Sequence, residues 1–212
     1  LYKATQNAAV GQALAEMVDF ACDTLYDADY RCFKTIVEKG GTRVGTRQSF
    51  GHDCEISYLL QNAASLLGDN ALAAKVDNVC KQVLIQVLEH DYDAWGSLYN
   101  GCDLATGERE KSHVWWAQAE GVTAMLYGYE LTGDTRFLSA CETQADYIEK
   151  YFVDRIHGDW YNNVIVDETG LHIVDGMHGF DKLNGGKCPF HNSQMCFEVM
   201  ERTARLLKKE DS

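Results

Sequence analysis

Three observations predict an all-α fold built from helical hairpins. Proline occurs once in 212 residues, at Pro189, and Ala, Leu, Glu and Gln are frequent, a composition that favours helix. Apolar residues recur at 3.6-residue spacing over long segments. A helix–turn–helix unit also repeats at an offset of 65 residues: Gly68-Asp69 recurs as Gly133-Asp134, Leu66 as Leu131, Leu72 as Phe137, Trp95 as Trp160 and Glu55 as Glu120. Helical hairpins that each need a neighbour to bury an apolar face form arrays or closed toroids. A closed ring of six such units needs about 390 residues. This chain holds about three units, and the sequence is read as one toroid domain over residues 1–212, half of a ring and part of a longer protein.

The periodicity places helices over residues 4–27, 53–67, 70–89, 116–131, 135–152 and 191–208. In "LLGDNA" (66–71) and "LTGDTR" (131–136) a glycine ends one helix and an aspartate caps the next. Longer polar stretches cover 28–51, 91–114 and 153–190. The last contains "WYNNVIVDETGLHIV", whose alternation predicts a small β-hairpin turning near "DETG".

The net charge of −13 argues against nucleic acid and anionic membrane surfaces, which select basic proteins. No apolar run approaches the roughly 20 residues of a membrane span. The start, "LYKATQNAAVGQ", has neither the basic lead nor the apolar core of a secretory signal. Eight cysteines show no Cys-x-x-Cys spacing. Several fall inside apolar helical patterns, so they are read as reduced, structural residues of a cytoplasmic protein.

Three stretches can carry chemistry. In "SFGHDCEISY" (49–58), His52 and Glu55 share one helix face at i and i+3. Asp53 suits the positive end of the helix dipole, and His52 can cap the helix or pack in the core. A histidine held by a carboxylate is the common acid/base arrangement. The His-x-x-x-His spacing of a helical metal site is absent, so no metal is expected. In "SHVWWAQAEG" (112–121), Trp115 and Trp116 open a helix carrying Gln118 and Glu120. One tryptophan belongs to the core, and the other offers a platform for a sugar ring. Glu120, at the repeat position of Glu55, sends a second carboxylate toward the same mouth. In "GGKCPFHNSQMCFEVMER" (185–202), His191 stands beside the sole proline, and Asn192 is the expected N-cap of the last helix.

Together, "SFGHDCE", "VWWAQAE" followed by "YELTGD", and "KCPFHN" followed by "MCFEV" resemble the N-acylglucosamine 2-epimerase superfamily in order and spacing. The nearest branch is that of cellobiose (mannobiose) 2-epimerases, and the resemblance runs from about residue 10 to residue 207. It implies an (α/α)6 barrel of about twice this length, of which this chain matches the C-terminal half. It implies that His52 and His191 are an acid/base pair and that Glu55 supports His52. It also implies that Trp115 or Trp116, Glu120, Tyr58 and Asn192 belong to the sugar site. In the implied reaction the ring opens at the reducing-end glucose or mannose unit of a β-1,4-linked disaccharide. One histidine takes the C2 proton, C2–C3 rotates in an enediol-like intermediate, and the other histidine returns a proton to the opposite face. That chemistry requires neither metal nor nucleotide. The sequence departs from the family pattern where Gly186 and Tyr58 replace tryptophans, and it lacks the Arg, Tyr and further His of the family's N-terminal half. Alternative readings are an N-acylglucosamine 2-epimerase, an aldose–ketose isomerase, a toroid glycosidase using Glu55 and Glu120, or a non-catalytic half-ring that binds sugar. A half-ring leaves apolar edges bare, so self-association or pairing with the other half is expected.

Overall fold

Gly68 and Gly133 each take up φ 70° at the end of a long helix, a left-handed conformation that glycine reaches without strain. The next residue then starts the following helix. Asp69 accepts hydrogen bonds from the backbone N–H of Ala71 and Leu72 at 2.8 and 3.1 Å, and Asp134 accepts one from Arg136 at 2.9 Å. These caps join α3 (Phe50–Leu67) to α4 (Asn70–His90) and α5 (Trp115–Thr132) to α6 (Thr135–Tyr147). The computed structural model describes residues 1–173 and 181–210.

The expected helix over 4–27 is instead broken. A short α1 (Tyr2–Thr5) stops at Gln6, whose φ is 50°. Asn7 then caps α2 (Ala8–Phe20), accepting from Ala9 and Val10 N–H at 2.9 and 3.3 Å. The strong N-cap preference of Asn wins over the continuous apolar period. A π turn at Ala21–Leu25 closes α2, and another at Ile148–Phe152 closes α6. The last helix, α7, runs Phe190–Glu210.

Helix α5 lies between α3 and α7 on either side, and α2, α4 and α6 back this inner row. Its buried residues run unbroken from Ala117 to Gly128, as in a helix covered on every side. Close approach is built in: a Cβ at Gly128 would stand 2.5 Å from the Phe137 ring. The core runs from Val18 through Val76, Leu84 and Met125 to Phe152. Seven of the eight cysteines lie on helices or short strands, and all eight are free thiols.

The long loops carry short strands, as expected. Strand β1 (Tyr26–Asp27) pairs with β2 (Cys32–Phe33). Strands β3 (Arg47–Ser49) and β4 (Gly101–Asp103) come from different loops and pair antiparallel, Gln48 opposite Cys102. The predicted hairpin forms from β6 (Asn163–Asp167) and β7 (Gly170–Ile173), with β5 (His113–Val114) along its other edge. Val174, the last residue of that expectation, lies outside the described residues. These loops all precede α3, α5 or α7, so the first turns of the inner helices face one mouth.

Candidate active site

The first turn of α3 is anchored from below. Asp53 is 1% exposed and accepts from the backbone N–H of Phe33 and from Gln48 Nε2, both at 2.7 Å. Burial pushes its carboxyl up to about 7, against the lowering effect of those bonds. Asp53 is therefore a buried tie between helix and loop, not an exposed dipole partner. One residue earlier, His52 Nδ1 lies 2.7 Å from Ser49 Oγ. Burial, then the charges of Arg47 and His191, lower the His52 pKa, which keeps its imidazole neutral near neutral pH. Ser49, not Glu55, is the hydrogen-bond partner of His52.

The first turn of α5 contributes two tryptophans with different duties. Trp115 is 2% exposed, and its N–H donates to the Asn162 carbonyl at 3.0 Å. Trp116 reaches the mouth, with its ring 4.8 Å from His52 and 5.6 Å from His191. Gly51 makes this possible, because a Cβ there would stand 2.6 Å from the Trp116 ring.

His191 enters from the first turn of α7. Its Nδ1 lies 2.5 Å from Glu120 Oε1, and Tyr58 Oη donates to Glu120 Oε2 at 2.6 Å. Phe190 and Trp115 hold the imidazole edge-on at 5.0 and 5.2 Å. The loop before it is pinned by Lys187, which donates to Asp159 Oδ2 at 2.9 Å and to the Lys182 carbonyl at 3.0 Å. That ammonium also sits 5.0 Å above the Trp115 ring.

His52, Glu55, Trp116, Gly186, Phe190 and His191 enclose an open cavity of about 430 Å³. Residues expected at the sugar are thus sorted by depth. Trp115, Tyr58 and Glu120, each at most 2% exposed, lie behind the wall. Helix α5 is covered on all sides, so its Glu120 cannot emerge as the repeat partner Glu55 does. Asn192 lies inside the first turn of α7 rather than capping it, and its Nδ2 donates to Asp159 Oδ1 at 3.4 Å. Gln118 is fully buried, bonded to Ser97, Leu98 and Gln144. Ser49, Gln48 and Lys187 were not read from the sequence: Ser49 and Gln48 bond His52 and Asp53 only three and five residues on, whereas the partner of Lys187 lies 28 residues away.

Burial and the Glu120 charge raise the Glu55 pKa, and His191 partly offsets this. Ligating atoms of Glu55, Glu120 and His191 all lie within 4.8 Å of one another. Both Glu120 oxygens and His191 Nδ1 are already engaged in hydrogen bonds to one another and to Tyr58. The burial of Glu120 also removes it as one of two carboxylates flanking a glycosidic bond.

No helix of the described residues is long and apolar enough to cross a membrane. The N-acylglucosamine 2-epimerase (GlcNAc 2-epimerase) family matches residues 10–179. A cellobiose 2-epimerase of Ruminococcus albus is 32% identical over 207 residues, which cover 95% of this chain and 50% of that protein. A solved sugar epimerase from a ruminal bacterium superposes with a TM-score of 0.85 at 30% identity, over 95% of this chain and 50% of that one. The cellobiose 2-epimerase of Bacillus thermoamylovorans B4167 gives 0.84 at 25% identity, over 95% and 49%. The chain spans about half the length of the curated relatives it matches, and its helices correspond to half of their (α/α)6 ring. On sequence and on fold, the chain belongs to the N-acylglucosamine 2-epimerase family.

Proposed function

We propose that this chain carries the acid/base half of a carbohydrate 2-epimerase site. The observation that supports this most is the placement of two histidines on one aromatic platform, each with its Nδ1 occupied. Proton removal alpha to a carbonyl needs a base of near-neutral pKa, and inversion needs a donor reaching the other face. In the reading proposed, one neutral imidazole takes the C2 proton of the open-chain sugar, the C2–H electron pair forms the C1–C2 double bond and the carbonyl π pair moves to the C1 oxygen of an enediolate. The C2–C3 bond turns, the second histidine, acting as imidazolium, gives its proton to the opposite face of C2, and the C1 carbonyl re-forms. Trp116 stacks on the sugar, and Glu55 accepts from a hydroxyl. The two histidines then return to their starting protonation by exchange with water, and no other group enters this balance.

The substrate proposed first is a β-1,4-linked disaccharide such as cellobiose. A second reading, a monosaccharide epimerase or aldose–ketose isomerase, is favoured by Gly186, which gives the cavity wall no side chain for a distal sugar. Chromatography of the products from cellobiose and from mannose separates the readings as 2-epimer or ketose. The His191→Ala variant should form neither, and product formation at the wild-type rate in that variant would sink the assignment.

We also propose that the edges of the half-ring are covered, by a second copy of this chain or by the other half of the ring. Phe197, Met200 and Leu207 stand exposed on α7, and Met17 and Phe20 on α2. The cytoplasm, where the eight thiols would stay reduced, is the proposed compartment.

A further inference from the structure

Tyr58 is buried to 1% exposure at the middle of α3, one turn beyond Glu55, and its ring has no access to the cavity. Its hydroxyl donates to Glu120 Oε2 at 2.6 Å. The other oxygen of the same carboxylate is 2.5 Å from His191 Nδ1. A carboxylate only accepts, so the imidazole proton is held at Nδ1 and Nε2 is left open to the cavity. Three helices meet in this chain of bonds: α3 through Tyr58, α5 through Glu120 and α7 through His191.

We propose that Tyr58 is a positioning residue for His191, acting through Glu120. A lone carboxylate on a flexible Glu side chain can swing its plane away from the imidazole. With Oε2 held by the Tyr58 hydroxyl, Oε1 stays on Nδ1, and the tautomer with a bare Nε2 is the one the bond chain selects. Bonds in such a chain polarise one another, so the state of the hydroxyl reaches the imidazole. The Arg202 guanidinium, 6.0 Å from the Tyr58 ring centre, closes the other side of the pocket that holds the phenol.

The inference rests on His191 as an acid/base group for its catalytic meaning, but the bond chain can be read without turnover. Long-range proton–nitrogen NMR of the 212-residue chain at pH 7.5 resolves the His191 ring nitrogens, assigned by their loss in His191→Gln. Wild type should show a protonated Nδ1, a bare Nε2 and a downfield Nδ1–H signal. Tyr58→Phe should populate both tautomers and displace that downfield signal. Tyr127→Phe is the control: it removes another buried phenol hydroxyl, which contacts Asp77 at 3.4 Å and has no bond to Glu120. It should leave the His191 spectrum as in wild type. Coupling in a chain is reciprocal, so His191→Gln should move the Tyr58 Cζ resonance. That arm stands even if Tyr58→Phe does not fold. An unchanged His191 spectrum in folded Tyr58→Phe, or an unmoved Tyr58 Cζ in His191→Gln, overturns the proposal. In a preparation that turns over sugar, Tyr58→Phe should lower kcat about tenfold with KM unchanged. Altered NMR without turnover in any variant would sink the epimerase reading and leave the bond chain standing.

Discussion

The Nδ1 of His191 and the Oε1 of Glu120 meet at 2.5 Å although 71 residues separate them in sequence. One lines the cavity and the other lies buried behind its wall, with side-chain exposures of 20% and 2%. Glu120→Gln keeps the shape but offers a single acceptor to two donors, Tyr58 and His191. We expect kcat to fall about 100-fold, the scale of one positioned acid/base group, with little change in KM. Steady-state kinetics on the 2-epimer checks this.

Gly51 sets how close α3 comes to Trp116. The Cβ of Gly51→Ala would stand 2.6 Å from the indole and 2.9 Å from Ala117 Cβ, so the ring must leave its place beside both histidines. Overpacking of this kind costs about 1–3 kcal/mol. Far-UV circular dichroism should stay unchanged, whereas near-UV tryptophan bands and sugar affinity should change. An unaltered near-UV spectrum would show that the indole has room to spare.

Arg202 is fully buried and tied to Glu130, to Glu198 at 3.1 Å and to Asn62 Oδ1 at 3.2 Å. It clamps α7, and hence His191, against α3 and α5. Arg202→Met leaves Glu198 without its cation and Glu130 with only the half-exposed Arg205 at 3.3 Å, and removing one partner of a buried pair costs about 3–5 kcal/mol. Chemical denaturation should show a loss of that order, with α7 detaching first in hydrogen exchange.

Two buried carboxyls give stability a pH dependence of definite sign. Burial holds Asp53 at about 7 and Asp91 at about 8, whereas both ionise near 4 when unfolded. Between about pH 4 and pH 8 the folded state therefore binds more protons than the unfolded state, and stability falls as pH rises through that range. His52, with its lowered pKa, acts in the opposite sense below about pH 6.5. Each pH unit over which one proton is held only in the folded state is worth about 1.4 kcal/mol. Asp91 Oδ2 has no hydrogen-bond partner among the described residues. Asp91→Asn should therefore raise the melting temperature at pH 9 by several degrees and flatten its decline from pH 6.5. A decline as steep as wild type would contradict the assignment.

Exposed Phe197 and Met200 on α7 predict association. Light scattering should give a mass above that of one chain at micromolar concentration, and Phe197→Glu with Met200→Glu should lower it toward the monomer. A monodisperse monomer in wild type would contradict covered edges.

Helical hairpins, their Gly-Asp turns and the β6–β7 hairpin were legible in the sequence, because each rests on local period or capping chemistry, whereas the pairing of His52 with His191 was implied only by the family resemblance. Depth was not. The repeat puts Glu55 and Glu120 in equivalent places, but α5 has neighbours on every side, so the same position lies behind the wall there. Asp53 reads locally as a dipole partner, and only the loop folded over it makes it a buried anchor. Nothing local marks Arg202 as the residue clamped between α3 and α5. Lys187 is hidden for the same reason: its partner Asp159 lies 28 residues away.

In the function proposed, His52 and His191 exchange the C2 proton of a reducing sugar with solvent. Proton NMR of cellobiose incubated with the chain in D2O reads this directly. The expected result is loss of the reducing-end C2 proton signal together with appearance of the 2-epimer, both abolished in His52→Ala and in His191→Ala. No loss of that signal with cellobiose, mannobiose or mannose, or a loss that persists in both variants, would contradict it.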